Sequence, residues 1–282
     1  MKPRDIASDS HSSTTLMALS IFVTGGSGFV GALIVGAIQE QHPEWEVTSF
    51  DVRIPGQRKA RVNYRTGDIQ TPSDIEAAIK ASRVDVVVHT AGIVPPLQYR
   101  FSREMEAKVK SVNVDGTRNM LQVSKACGVR AFVWTGSCCA VTDDFRYSYR
   151  NIDEAYPTSR RSTIYGESKA IAEEIVLAAN DPDFLTCVLR PSVLFGPGDH
   201  QLIPSIHTCI GKGETAFVLG DAENLWDVTY APNVADAHVL AVENLLSSKT
   251  AAGEAFFIQN NEPITFRDFC LEVDVFCPSD ST

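Results

Sequence analysis

No stretch of this chain approaches the eighteen or more consecutive apolar residues that a membrane-spanning helix needs, so the sequence predicts no bilayer crossing. Basic charge is also scarce. Against 35 Asp and Glu stand 25 Lys and Arg, a formal net charge of -10, and no basic stripe is present to neutralise a phosphate backbone; nucleic acid is not an expected partner. The seven cysteines include no C-x-x-C pair and no histidine at zinc spacing, which argues against a metal site and against a disulfide framework. A reducing, cytoplasmic compartment is the simplest setting. The first nineteen residues, MKPRDIASDSHSSTTLMAL, lack the apolar run of a signal peptide and read as a disordered tail. Internal repeats and low-complexity blocks are missing too.

What is present is enough apolar material, 44% of 282 residues, for one large domain or a domain with a smaller lobe. Short β-branched runs alternate with helical periodicity. The strand candidates are Ser20 to Thr24, Glu46 to Val52, Val62 to Arg65, Val84 to His89, Ala131 to Thr135 and Leu185 to Arg190. Several, such as VDVVVH and RAFVWT, are apolar at consecutive positions, as parallel strands covered on both faces should be. The expected fold is therefore α/β, a doubly wound parallel sheet of Rossmann type spanning 20–198. After Arg190 the proline- and glycine-rich PSVLFGPGDHQLIP breaks the alternation. A short substrate lobe is expected over 199–282, with strand, helix and strand at Val228 to Tyr230, Val234 to Leu246 and Ala255 to Gln259, some of it returning to the main sheet.

The strand SIFVT runs straight into GGSGFVG, which places Gly25, Gly28 and Gly31 where the chain turns into a helix. Glycines let a backbone approach phosphates, and a helix N-terminus offers free N–H groups and a favourable dipole. Phe29 and Val30 share that first turn. Asp51 ends the second strand 26 residues after Gly25, where a carboxylate can accept hydrogen bonds from an adenosine ribose; a solvated strand-end Asp is the bland alternative. Asp68 and Ile69 follow the third strand, Thr90, Ala91 and Gly92 the fourth, and Pro191 the sixth. Each is expected beside the cofactor, although ordinary turn chemistry would explain them as well.

Tyr165 and Lys169 stand four residues apart in YGESK and share one helix face. An ammonium beside a phenol favours the phenolate, which predicts a lowered tyrosine pKa and a general base. Ser137, in TGS at the end of the fifth strand, can orient the reacting oxygen. Asn113, in the helical stretch KVKSVNVDGTRNML, either supports a water relay to Lys169 or is a structural helix residue. The vicinal Cys138 and Cys139 read as small packing residues rather than a redox pair.

Taken together, GGSGFVG, Asp51, Ser137 and YGESK resemble the extended short-chain dehydrogenase/reductase superfamily. LRPSVLFGPGDHQLIP, LWDVTYAPNVADAHVLA and EPITFRDF are similar to the 3β-hydroxysteroid dehydrogenase family and, within it, to fungal sterol-4α-carboxylate 3-dehydrogenases (decarboxylating), over about Ser20 to Phe269. The resemblance implies hydride transfer from a ring C3 carbinol to NAD, with Tyr165 as base, Lys169 binding ribose and tuning that base, and Ser137 holding the substrate oxygen. It also implies a sterol or terpenoid substrate, an association with the endoplasmic reticulum surface, and leaves a homodimer open. Three departures stand out: Gly136 where the family often has a serine, His200 closing GPGDH in place of arginine, and LEVDVFCPSDST where the family continues into apolar segments. A nucleotide-sugar epimerase would share the fold, the cofactor and Tyr165, but would release no reduced cofactor. A non-catalytic dinucleotide sensor would need no Tyr and Lys beside Ser137.

Overall fold

The computed structural model describes residues 18–142, 146–158, 163–214 and 220–276; most of the expected N-terminal tail lies outside them. Seven parallel strands form the main sheet: β1 (Ser20–Thr24), β2 (Glu46–Asp51), β3 (Val62–Thr66), β4 (Val86–His89), β5 (Ala131–Thr135), β6 (Leu185–Pro191) and β10 (Ala255–Ile258). Their order is β10-β6-β5-β4-β1-β2-β3, and every neighbouring pair is parallel. The order reverses at β1, with β2 to one side and β4 to the other. At the carboxyl ends of the strands, such a reversal is the place where sheets of this kind bind ligands. β4 starts at Val86 rather than Val84 because Asp85 is taken up at the strand mouth, accepting from the Ser20 N–H at 2.9 Å and from Arg130.

Alternation along the strands sends their side chains to two separate cores. Phe22, Val87, Phe132 and Trp134 pack with α2 (Pro72–Ser82), α4 (Thr117–Ala126) and α5 (Ile164–Ala178) on one face. Ile21, Val23, Val86, Val88, Ala131 and Val133 pack with α1 (Phe29–Gln41) and α7 (Ala231–Leu246) on the other. Both faces are covered, which is why these strands read as unbroken apolar runs.

The chain after Pro191 divides its allegiance. α7 and β10 join the main body, β10 pairing beside β6 from Ala255 opposite Val188 to Ile258 opposite Pro191. The remainder makes a separate small lobe. There β7 (Val193–Phe195) pairs with β9 (Val228–Tyr230), and β8 (Leu225–Trp226) pairs with β11 (Ile264–Thr265). The helices α6 (Leu202–Gly211) and α8 (Phe266–Phe276) pack around Val228, Phe269 and Val273. No helix among the described residues is long and apolar enough to cross a membrane.

Candidate active site

The first loop at the switch point is set by glycine. Gly25 has φ of +67° and a Cβ there would stand 2.9 Å from the Ala91 backbone, so both conformation and space demand glycine. At Gly31 a Cβ would lie 2.1 Å from the Gly25 carbonyl oxygen, which means α1 can lie this close to the loop only without a side chain. α1 starts after Gly28 with no side chain capping its first turn, so the N–H groups of Phe29 and Val30 keep their donor capacity for an anion. Asp51 closes the cradle. Its carboxylate accepts from the Ser27 N–H at 3.1 Å and the Arg53 N–H at 3.2 Å, against the loop, and still has lone pairs for ribose hydroxyls. The uncapped helix end, the two crowded glycines and this carboxylate fit a dinucleotide.

The second loop, after β4, is fastened to the first. Thr90 donates its hydroxyl to the Thr24 carbonyl at 2.9 Å, and the Ala91 N–H donates to the Thr24 hydroxyl at 3.2 Å. A Cβ on Gly92 would be 3.2 Å from Asn113 Oδ1 and 3.9 Å from Lys169 Nζ, so this loop brings the cofactor side and the catalytic side together. Asp68 and Ile69 sit in the turn between β3 and α2. The Asp68 carboxylate accepts from the Gln70 N–H at 2.9 Å, and Ile69 is buried where a Cβ on Gly116 would meet it at 2.6 Å. Pro191 is the buried last residue of β6.

α5 carries the catalytic candidates. The Thr163 side chain caps it by accepting from the Gly166 N–H at 2.9 Å, which fixes Tyr165 in its first turn and Lys169 one turn later. Lys169 is buried, donates to the Thr135 carbonyl at 2.8 Å, and has its ammonium 4.7 Å from the Trp134 ring centre and 5.9 Å from that of Tyr165. Burial lowers its pKa to about 8. Tyr165 behaves differently from the expectation drawn from spacing. Burial raises its pKa, the Cys139 and Cys138 thiols add to the rise, and only a hydrogen bond with the Ser137 side chain and the charge of Arg100 act the other way. The reason is geometric: the Lys169 ammonium faces the Thr135 carbonyl, not the phenol oxygen.

Ser137 caps a short 3-10 turn, Cys138–Ala140, accepting from the Cys139 N–H at 3.2 Å. It is therefore both a cap and a neighbour of Tyr165. Cys138 and Cys139 are half-buried, and a hydrogen bond with Cys139 together with burial pushes the Cys138 thiol up. Asn113 lies in a wide π-helical turn, Ser111–Gly116, between α3 (Glu106–Lys110) and α4, where sequence periodicity predicted plain helix. Its amide clamps the Ile93 backbone, accepting from N–H at 2.8 Å and donating to C=O at 3.0 Å, and also donates to Ser168 at 3.0 Å. Its carbonyl accepts from the Thr117 hydroxyl at 2.7 Å. His200 is exposed and stands edge-on to Phe29, ring centres 6.2 Å apart.

A family model for the 3-beta hydroxysteroid dehydrogenase/isomerase family matches residues 22–275. The chain belongs to this family. It is 39% identical over 261 residues to the decarboxylating sterol-4-alpha-carboxylate 3-dehydrogenase of Saccharomyces cerevisiae, covering 88% of this chain and 72% of that one. It is 34% identical to a 3-beta-hydroxysteroid dehydrogenase of Mycolicibacterium neoaurum, covering 91% and 70%. Among solved structures, the UDP-glucose 4-epimerase of Thermotoga maritima superposes with a TM-score of 0.76 at 21% identity, over 94% of this chain and 84% of that one, a likeness of fold.

In this chain of the family, sequence reading overlooked the residues that hold the site from behind. His89 is one. The Thr24 hydroxyl donates to its Nδ1 at 2.6 Å, its Nε2 donates to Thr117 at 3.0 Å, and burial lowers its pKa to about 3. His238 on α7 is another: Nδ1 donates to the Val234 carbonyl at 2.7 Å, so Nε2 accepts the Thr135 hydroxyl at 2.8 Å, and burial lowers its pKa to about 4. Thr135 thus turns its hydroxyl away from Lys169 while offering its carbonyl to it. Arg190 and Glu173 form a buried pair at 2.5 and 3.0 Å that ties β6 to α5 one turn beyond Lys169. The available signal was a polar residue ending or interrupting an apolar run, as in VVVH and ADAHVLAV.

Proposed function

We propose that this chain is an NAD-dependent dehydrogenase that oxidises the ring 3β-hydroxyl of a sterol or related polycyclic terpenoid bearing a 4-carboxylate, the β-keto acid so formed then losing carbon dioxide. The observation that carries the reading is the convergence of Tyr165 on α5 with Ser137, whose side chain favours the phenolate, and with Lys169 one helical turn later, its ammonium 5.9 Å from the Tyr165 ring centre. The names of relatives sharing more than a third of their residues supply the substrate class.

NAD, when bound, supplies the hydride acceptor, held by the Gly25 to Gly31 loop and by Asp51. The chain's own residues manage the proton. Ser137 donates a hydrogen bond to the carbinol oxygen and Tyr165 accepts that oxygen's proton as the carbon becomes a ketone. With burial raising Tyr165, the phenolate needs positive charge nearby; Lys169 supplies it by leaving the Thr135 carbonyl for the cofactor side of the pocket. A carboxylate beta to the new ketone is lost through an enol, which asks for no further residue. An apolar substrate of this kind resides in membranes, which supports a cytoplasmic protein working at the endoplasmic reticulum surface.

The test is to incubate purified protein and NAD with a 3β-hydroxysterol 4α-carboxylate and to follow reduced-cofactor absorbance and carbon dioxide together. Both should rise in step. Hydride returned to the same molecule, with no net cofactor reduction, would point to epimerisation and defeat the proposal.

A further inference from the structure

The loop after β4 carries Arg100, directly after a 3-10 turn at Leu97–Tyr99. Arg103 clips this loop to α5 by donating twice to Glu167, both at 2.9 Å, and Glu167 is two residues from Tyr165. The cations around it are engaged. Arg103 and Lys110 share Glu106 at 2.6 Å each, and Lys169 holds the Thr135 carbonyl. Arg100 is the exception: its side chain makes no ion pair among the described residues, and its Nε is buried with no hydrogen-bond partner. An N–H of a cation buried without an acceptor is costly, and a protein keeps one where something arrives to accept it. The guanidinium is near enough to Tyr165 for its charge to favour the phenolate. Val94, Leu97 and Phe101 expose apolar side chains on the same loop.

We infer that Arg100 binds the substrate's carboxylate, so that the site selects a hydroxy acid whose anion sits on the carbon beside the carbinol being oxidised. The inference rests on the dehydrogenase reading above and adds to it the residue that distinguishes an acidic sterol from a neutral one. A guanidinium offers Nε and one Nη side by side, the fork that matches the two oxygens of a carboxylate. Bound there, the anion places the neighbouring carbinol toward Tyr165 and Ser137, while the rest of the ring system lies against apolar side chains. An ammonium at the same position would keep the charge and lose the fork.

The experiment measures kcat/KM for a 3β-hydroxysterol with and without a 4α-carboxylate, in the parent protein, Arg100→Gln and Arg100→Lys, with the NAD dissociation constant of each variant as a check on folding. The parent should favour the acid. Arg100→Gln should lower the ratio of acid to neutral kcat/KM by about 30-fold, the loss expected for a hydrogen-bonded charge, and Arg100→Lys should restore part of it. An equal fall for both sterols, or an unchanged ratio, overturns the assignment of Arg100 and leaves the dehydrogenase reading standing. No cofactor reduction by the parent with either sterol overturns that reading itself.

Discussion

Around the switch point of the sheet the important side chains are buried and held from several sides, whereas the lobe after Pro191 is thinly packed. Ile21, Phe22, Phe132 and Trp134 are almost wholly enclosed, and the polar groups behind the site, from Thr24 through His89 and Thr117 to the Asn113 carbonyl, satisfy one another. In the lobe, α6 has no fully buried residue, the strands are two or three residues long, and the core rests on Val228, Phe269 and Val273. The contrast separates two tasks. Cofactor and proton chemistry tolerate displacements of only a fraction of an ångström and sit on the rigid part. On the proposed reading, substrate shape falls to a region that can change with little effect on the rest.

The sharpest way to break this comparison is Tyr165→Phe, which removes one oxygen from the rigid part. Turnover should fall by about a thousandfold or more, with NAD affinity close to that of the parent; turnover within tenfold would remove Tyr165 from the mechanism. Paired truncations come next. Phe132→Ala should cost about 3 to 5 kcal/mol in denaturant unfolding, as for a fully enclosed ring, while Phe269→Ala should cost less and act mainly by raising the sterol KM. Equal losses of stability would show the lobe to be as integral as the sheet.

Asp51→Ala tests the cradle, and the measurement is kcat/KM for NAD against NADP. The parent should prefer NAD, because a 2′-phosphate would meet a carboxylate already fixed by the Ser27 and Arg53 N–H groups. Removing it should narrow the preference by about tenfold or more, since charge-assisted hydrogen bonds are worth on the order of 1.5 to 3 kcal/mol. A parent that favours NADP would refute the role. The smallest effect is in pH. His89 and His238 have folded pKa values of about 3 and about 4, below the ordinary value of 6.5, so below 6.5 the unfolded chain takes protons that the folded one refuses. Stability therefore falls as pH drops from 6.5 toward 4, by roughly 1.4 kcal/mol per unit for each histidine. His238→Gln should flatten the dependence of Tm on pH over that window; an unchanged slope would mean that His238 is not held neutral.

Much of the rigid half was legible in the sequence because its constraints are local. The apolar runs gave β1 and β5 to the residue, and crowding at Gly25 and Gly31 is the physical content of the glycine spacing. The Tyr165 and Lys169 pair was legible as one face of α5, but the direction of the tyrosine pKa was not. That depends on which way an ammonium points and on how deeply the phenol is enclosed, and both are set by residues far away in the chain. His238 shows the same limit: it lies 103 residues from the Thr135 hydroxyl it accepts. The π-helical turn at Ser111–Gly116 is a single widened turn between two short helices, too brief for apolar periodicity to register.

The place of β10 has a consequence for synthesis on the ribosome. Strands β1 to β6 are complete once Pro191 has been made, yet the outer edge of β6 is paired by Ala255–Ile258, more than sixty residues later. Through that interval a nascent chain carries an open row of N–H and C=O groups on a buried-type strand, a template for pairing with any other extended segment. The charged guanidinium of Arg190, already matched by Glu173 from α5, stands next to the carboxyl end of that edge strand and opposes an intruding apolar strand there. The pair that braces the mature protein would then also guard the unfinished one.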